Sequence, residues 1–195
     1  PQGHVLLDGA VPESAPMIER NIRELGFRIE DVKLILNSHA HVDHAGGIAA
    51  LQRASGAIVA TSAHGAQVLR DGTIGKDDPQ FATAKPFFYP KVADVKAVGE
   101  GQVLKAGAIS VTAHMTPGHT PGSTSWTWQS CEGAKCLDIV YADSLTAVSE
   151  GDYRYSGGKG APDVSKLFKA SIDKIGALKC DVLLTTHPGA SGMMD

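Results

Sequence analysis

The chain has 195 residues, enough for one well-buried domain and too few for several independent cores, so a single domain over residues 1–195 is expected. Its composition, 43% hydrophobic and 20% charged, is that of an ordinary globular protein, and no apolar run approaches the ~20 residues that a membrane helix needs. The net charge of −3, with Lys and Arg scattered rather than gathered, supplies no basic field for nucleic acid; neither nucleic acid nor a membrane is an expected partner.

The run His4 to Leu7 reads as a strand. A helix is expected from about Ala15 to Leu25, with Ile18, Ile22 and Leu25 on one face, Ser14 as cap and Gly26 as terminator. A strand at Val32 to Leu36, a helix from about Gly47 to Ala54 ending at Gly56, and a strand at Ala57 to Ala60 complete a β-α-β-α-β order. Between Gly72 and Pro90 the text is rich in Gly, Asp and Pro with a cluster of Phe and Tyr, which predicts an extended loop with a few buried anchors. From Val92 several strands follow, including Ala108 to His114, Ser123 to Gln129 and Leu137 to Tyr141. The last helix, about Val164 to Leu178, keeps i, i+3/i+4 apolar spacing, and a strand at Val182 to Thr185 delivers His187. The fold class is therefore α/β.

The chain opens at Pro1 without Met or a leader pattern and stops shortly after His187, so a piece truncated at both ends is expected. Cys131 and Cys136 bracket Glu132-Gly133-Ala134-Lys135 between two β-rich runs, a spacing that suits a disulfide across a hairpin, two free thiols being the alternative. Cys180 is left over, either as a buried thiol or paired outside these residues.

The chemistry is concentrated in His39-Ala40-His41-Val42-Asp43-His44, which follows a strand and precedes Gly46-Gly47, in the kind of loop where α/β folds collect ligands. Alternation in an extended stretch points His39 and His41 to one side, and the turn into the helix swings Asp43 and His44 toward a second position. Two neighbouring metal sites follow. A catalytic zinc takes three protein ligands and keeps one position for water, so two sites need more groups than one loop provides. His119, in Thr116-Pro117-Gly118-His119-Thr120, and His187, in Thr186-His187-Pro188-Gly189, each stand in a turn after a strand and supply the missing pair. His4, His64 and His114 are expected in ordinary packing or surface roles, with a contact behind the ligands left open for His114.

His39-x-His41-x-Asp43-His44, then His119, then His187, on an α/β chain, resembles the metallo-β-lactamase superfamily, and within it the third subclass of class B enzymes. The likeness extends to the Gly-His-Val-Leu-Leu-Asp strand, Asp77-Asp78-Pro79-Gln80-Phe81, Trp126-Thr127-Trp128 and Tyr141-Ala142-Asp143-Ser144-Leu145-Thr146. The Cys131 to Cys136 hairpin resembles one branch of that subclass. The resemblance implies an αββα sandwich and two Zn2+ ions, one on His39, His41 and His119, the other on Asp43, His44 and His187. It further implies that Asp43, His41 and His119 are the catalytic residues, and that the Ser144 and Thr146 hydroxyls lie near the second zinc and the substrate carboxylate.

The implied reaction is hydrolysis of a small-molecule β-lactam (penicillin, cephalosporin or carbapenem) by a hydroxide that zinc makes available near pH 7, with Asp43 also orienting the water. The implied setting is a monomer in the bacterial periplasm. Preference among lactams depends on the loop around Phe81 to Tyr89. A rival of the glyoxalase II type, a di-metal thioester hydrolase, uses an Asp that bridges the metals, and Asp143 stands where it could imitate that residue. Adjacent strand residues face opposite ways, so only one of Asp143 and Ser144 can point at the metals, and the resemblance favours Ser144. The alternative from another class is a non-catalytic zinc-binding domain.

Overall fold

A computed structural model describes residues 3–81, 88–158, 162–189 and 191–193. Strand β1 (His4–Leu7), β2 (Val32–Leu36), β3 (Ile58–Ser62) and β4 (Val95–Val98) pair in that order as a parallel sheet. Strands β5 (Val103–Ala106), β6 (Ile109–Met115), β7 (Thr124–Glu132), β8 (Lys135–Ala142) and β9 (Val182–Thr185) form a second sheet, antiparallel except for the parallel pair β8–β9. Five α-helices accompany them among the described residues: α1 (Ala15–Glu24), α2 (Val42–Ala45), α3 (Ile48–Ser55), α4 (Ala63–Asp71) and α5 (Ser165–Gly176).

The side-chain alternation of β2 shows why two sheets stack. Ile35 packs with Leu51 and Leu69 of the helices, whereas Leu34 and Leu36 pack with Val111, Ala113 and Trp126 of the other sheet. A strand covered on both faces reads as a continuous apolar run, as Val32 to Leu36 does apart from Lys33. Burial of each large apolar side chain in the inter-sheet core stabilises the fold by roughly 1.5–3 kcal/mol. Helix α5 closes against the turn after β6, where Ser171 Oγ donates to the Pro117 carbonyl (2.7 Å) and Lys174 Nζ to that of Met115 (2.8 Å). The result is the α/β sandwich that the resemblance implies.

Several expectations are corrected in detail. Helix α2 is a single turn inside the ligand loop, and α4 follows β3 directly, capped by Ser62, whose Oγ accepts from the Gly65 amide (3.0 Å). Ser14, by contrast, makes no side-chain cap; the turn Pro12–Ser14 leads straight into α1. Gly26, Gly56 and Gly72 end their helices or turns in the left-handed region, as a chain reversal there requires. In the 72–90 loop, Tyr89 and Asp78 are the buried anchors while Phe81 and Phe88 are exposed; residues 82–87 lie outside the described set. Strands β7 and β8 run through the cysteines, which pair in register as a Cys131–Cys136 disulfide. Cys180 is exposed rather than buried.

The loop after β1 is held tightly against the ligand loop: Gly9 N donates to the His44 carbonyl (2.7 Å) and Gly47 N to that of Ala10 (3.1 Å). Ala10 adopts φ +51°, a left-handed conformation that costs a β-carbon about 1–2 kcal/mol. Glycine removes that cost and returns about 0.5–1 kcal/mol to the unfolded chain's entropy. Ala10→Gly is therefore expected to leave stability unchanged or raise it by up to about 1 kcal/mol in urea melts; a loss would contradict the strain at this position.

Candidate metal centre

Strand β2 ends at Leu36, and Asn37, Ser38, His39 and His41 after it are all buried. The ligand atoms of His39, His41 and His119 all lie within 4.8 Å of one another. A second convergence joins His44 and its neighbours: His44 Nε2 is 3.1 Å from His187 Nε2 and 3.3 Å from Asp43 Oδ2, and His187 Nε2 is 3.7 Å from that same carboxylate oxygen. His39 also lies within 4.8 Å of Asp43 and His44, so its ring stands between the two groups. All six residues singled out in the sequence are thus brought together.

Four of the five imidazoles are held from behind. His39 Nδ1 meets Asp143 Oδ1 at 2.7 Å, His41 Nε2 meets both Asp78 oxygens at 3.1–3.2 Å, His44 Nδ1 meets Asp8 Oδ2 at 3.1 Å, and His119 Nδ1 donates to the Thr146 carbonyl at 2.9 Å. An acceptor on one ring nitrogen fixes the tautomer and leaves the other as a lone-pair donor. His39 Nε2 shows this most clearly, being buried with no hydrogen-bond partner among the described residues. A buried, unpartnered imidazole nitrogen is costly unless something binds it, and a set of His and Asp donors is the chemistry of zinc rather than of magnesium or calcium. The residues present therefore fit a metal ion.

Electrostatics separate the two groups. Burial, reinforced by the charges of His44, His41 and His119, holds His39 well below the ordinary imidazole range, the neutral form a ligand needs. Burial also lowers His119. For His44 burial acts in the same direction, but hydrogen bonds with Asp43 and Asp8 outweigh it and raise the ring to about 10. In the metal-free chain at pH 7 this ring carries a proton that an incoming cation must displace. Metal affinity at the Asp43, His44, His187 group should then rise roughly tenfold per pH unit below 10, with one proton released on binding. Competition titrations between pH 6 and 8 check this, and a pH-independent affinity would contradict it.

Asp143 is buried with Oδ1 on His39 Nδ1, and Ser144 Oγ turns to Thr186 Oγ1 (2.8 Å); all three residues contribute to the lining of one cavity. That cavity, about 620 Å³, is also lined by Thr146, Gln80, Ile74, Tyr89 and Val148, and its described lining holds no Lys or Arg. The sequence reading missed Asp8 and Asp78 as partners of ligands. The signal available was an Asp at the end of a strand and an Asp in the loop beyond α4, each inside a segment quoted for the resemblance. His114 takes the ordinary packing role expected of it, pairing with Thr127 Oγ1 (2.8 Å) and lying 3.6 Å from Glu100, so the contact behind the ligands that was left open for it is not among its bonds. His64 pairs with Asp77 (2.9 Å) and His4 packs on Phe27.

Comparison with known proteins places these features in context. A family model described as "Metallo-beta-lactamase superfamily" matches residues 1–187. The Rm3 metallo-beta-lactamase structure is 52% identical with a TM-score of 0.94, covering 100% of this chain and 71% of its own. MEM-A1, a subclass B3 metallo-beta-lactamase isolated from a soil metagenome library, is 50% identical with a TM-score of 0.94, covering 100% of this chain and 73% of its own. The hydroxyacylglutathione hydrolase of Anaeromyxobacter dehalogenans (strain 2CP-C) is 32% identical over 155 residues, 80% of this chain. The chain spans about half the length, 46%, of the curated relatives it matches.

Proposed function

The chain belongs to the metallo-beta-lactamase superfamily, and on that premise we propose that it is a di-zinc hydrolase that opens the β-lactam ring of penicillins, cephalosporins and carbapenems. The observation that carries this reading is the pair of converging donor sets, with His39 Nε2 buried and unpartnered between them. In it His39, His41 and His119 hold one ion and Asp43, His44 and His187 the other. Zinc bound there lowers the pKa of a water to about 7 and polarises a carbonyl.

The protein's own groups do the rest. Asp143, Asp78 and Asp8 keep the rings in the ligating tautomer. Asp43, with its side chain 46% exposed, can accept a hydrogen bond from the attacking water as well as bind metal. The hydroxyls of Ser144, Thr146 and Thr186 face the cavity and can donate to the single carboxylate of a β-lactam, while Ile74, Tyr89 and Val148 form an apolar wall that limits water. The Cys131–Cys136 disulfide supports an oxidising compartment, the periplasm. No helix among the described residues is long and apolar enough to cross a membrane.

A second reading, thioester hydrolysis, draws on the likeness to hydroxyacylglutathione hydrolases. Two observations favour the first. One oxygen of the Asp143 carboxylate is held by Nδ1 of His39, the nitrogen opposite the one left for a metal, which ties the carboxylate to the back of that ring. A glutathione thioester carries two carboxylates, and the described cavity lining offers neither Lys nor Arg to receive them. Side-by-side assays with a chromogenic cephalosporin and an S-acylglutathione test the choice: turnover of the lactam alone is expected, and turnover of the thioester alone would reverse it.

A further inference from the structure

Asp8 makes more polar contacts than any other carboxylate near the centre. Its Oδ1 accepts from Asn37 Nδ2 (3.0 Å) and the Ser38 amide (2.7 Å), and its Oδ2 from Ser38 Oγ (2.6 Å), Tyr141 OH (2.8 Å) and His44 Nδ1 (3.1 Å). The residue is buried, and it holds a left-handed backbone conformation, φ +59°, that few residues other than Gly, Asn or Asp adopt. The five donors come from the end of β2, from α2 and, through Tyr141, from the opposite sheet. Tyr141 touches none of the six proposed ligands in any hydrogen bond, yet it shares an acceptor oxygen with one of them.

We propose that Asp8 is a positioning residue that selects the ligating tautomer of His44, and that the occupancy of the Asp43, His44, His187 site depends on it while the His39, His41, His119 site does not. This inference rests on the two-site reading given above. The two oxygens of Asp8 are not equivalent. Oδ1 faces two donors that cannot reverse, a backbone amide and the Asn37 amide as the structure places it. Oδ2 faces two hydroxyls, which can reverse, and one ring nitrogen.

In Asp8→Asn the side-chain carbonyl must therefore stay at the first position, and the new amide group must occupy the second. Ser38 and Tyr141 can both turn their hydroxyl hydrogens away from it, one of them accepting one of its two N–H groups. His44 accommodates it only by accepting at Nδ1, which puts its proton on Nε2, the nitrogen aimed at Asp43 and His187. A near-isosteric change then produces the wrong tautomer with little change in shape. Asp143, Asp78 and the Thr146 carbonyl serve His39, His41 and His119, and the Ser38 Oγ contact with His39 Nδ1 (3.4 Å) is much longer than the Asp143 bond to that nitrogen (2.7 Å), so the first site keeps its tautomers.

The test is a competitive zinc titration of wild-type and Asp8→Asn chains against a chromogenic chelator, with ring-nitrogen NMR of 15N-histidine samples. Wild type should bind two equivalents and show His44 protonated at Nδ1 when zinc-loaded. Asp8→Asn should keep the first equivalent at wild-type affinity and bind the second 10–100-fold more weakly, with the His44 proton moved to Nε2. Unchanged affinity for both equivalents in a folded variant, or equal loss of both, overturns the inference and leaves the two-site reading intact. A wild-type chain that binds no second equivalent overturns both. If Asp8→Asn does not fold, the wild-type spectrum decides: a zinc-loaded His44 without a proton on Nδ1 rejects the proposal.

Discussion

On the proposed function, Asp43→Ala is expected to lower lactam hydrolysis by about a thousandfold while the chain retains at least one zinc. The asymmetry follows from where Asp43 stands. It belongs to the second donor set and not to the first, so His39, His41 and His119 still converge without it. It is also the most water-accessible of the loop ligands, with its side chain 46% exposed, so its removal leaves no buried group unpaired except the His44 proton it held. What is lost is a proposed metal ligand and a carboxylate that lines the cavity, and the loss of one such preorganised group costs about 10²–10³ in turnover. Hydrolysis rate and metal content measured on the same preparation check this. Losses in equal proportion would mean that Asp43 acts only by retaining metal.

The second large effect concerns packing beneath a ligand. Gly118 immediately precedes His119, and a β-carbon there would lie 2.5 Å from Cγ and 2.7 Å from Cε2 of Phe168, closer than real contacts allow. Phe168 is a buried residue of α5, and the helix is itself pinned to this turn by the Ser171 hydrogen bond to Pro117. Gly118→Ala must then push α5 or His119 aside, at about 1–3 kcal/mol for overpacking. A displacement of His119 by ~1 Å is enough to cost about 10²-fold in activity. Urea melts and kcat/KM should both register the change, and adding Phe168→Ala should recover part of the activity by making room. A fully stable, fully active Gly118→Ala would show that the turn yields without moving the ligand.

The convergence of the six proposed ligands was legible in the sequence for a simple reason: four of them lie within one loop, and chain geometry alone turns His39 and His41 apart from Asp43 and His44. His119 and His187 became readable because each follows a strand and precedes a turn, although β6 begins 65 residues after His44 and His187 stands 143 residues beyond it. The groups behind the rings were not legible. Asp8 and Asp78 are 36 and 37 residues from the histidines they hold, and only the parallel pairing of β1 with β2 and the folding back of the loop after α4 bring them close. The short elements escaped for local reasons. Helix α4 carries Gly65 in its first turn, and β4 and β5 are four-residue strands with too few alternations to be distinguished from loop. The last-named ambiguity, Asp143 against Ser144, depended on strand facing at the end of β8, which a one-residue shift inverts.

Removal of metal tests the central claim most directly. A chain stripped by chelator and dialysed should open a chromogenic cephalosporin no faster than buffer, and activity should return as zinc is added back, reaching its full value between one and two equivalents per chain. Hydrolysis that survives stripping, or a chain loaded with two equivalents that leaves the lactam intact, would contradict the account.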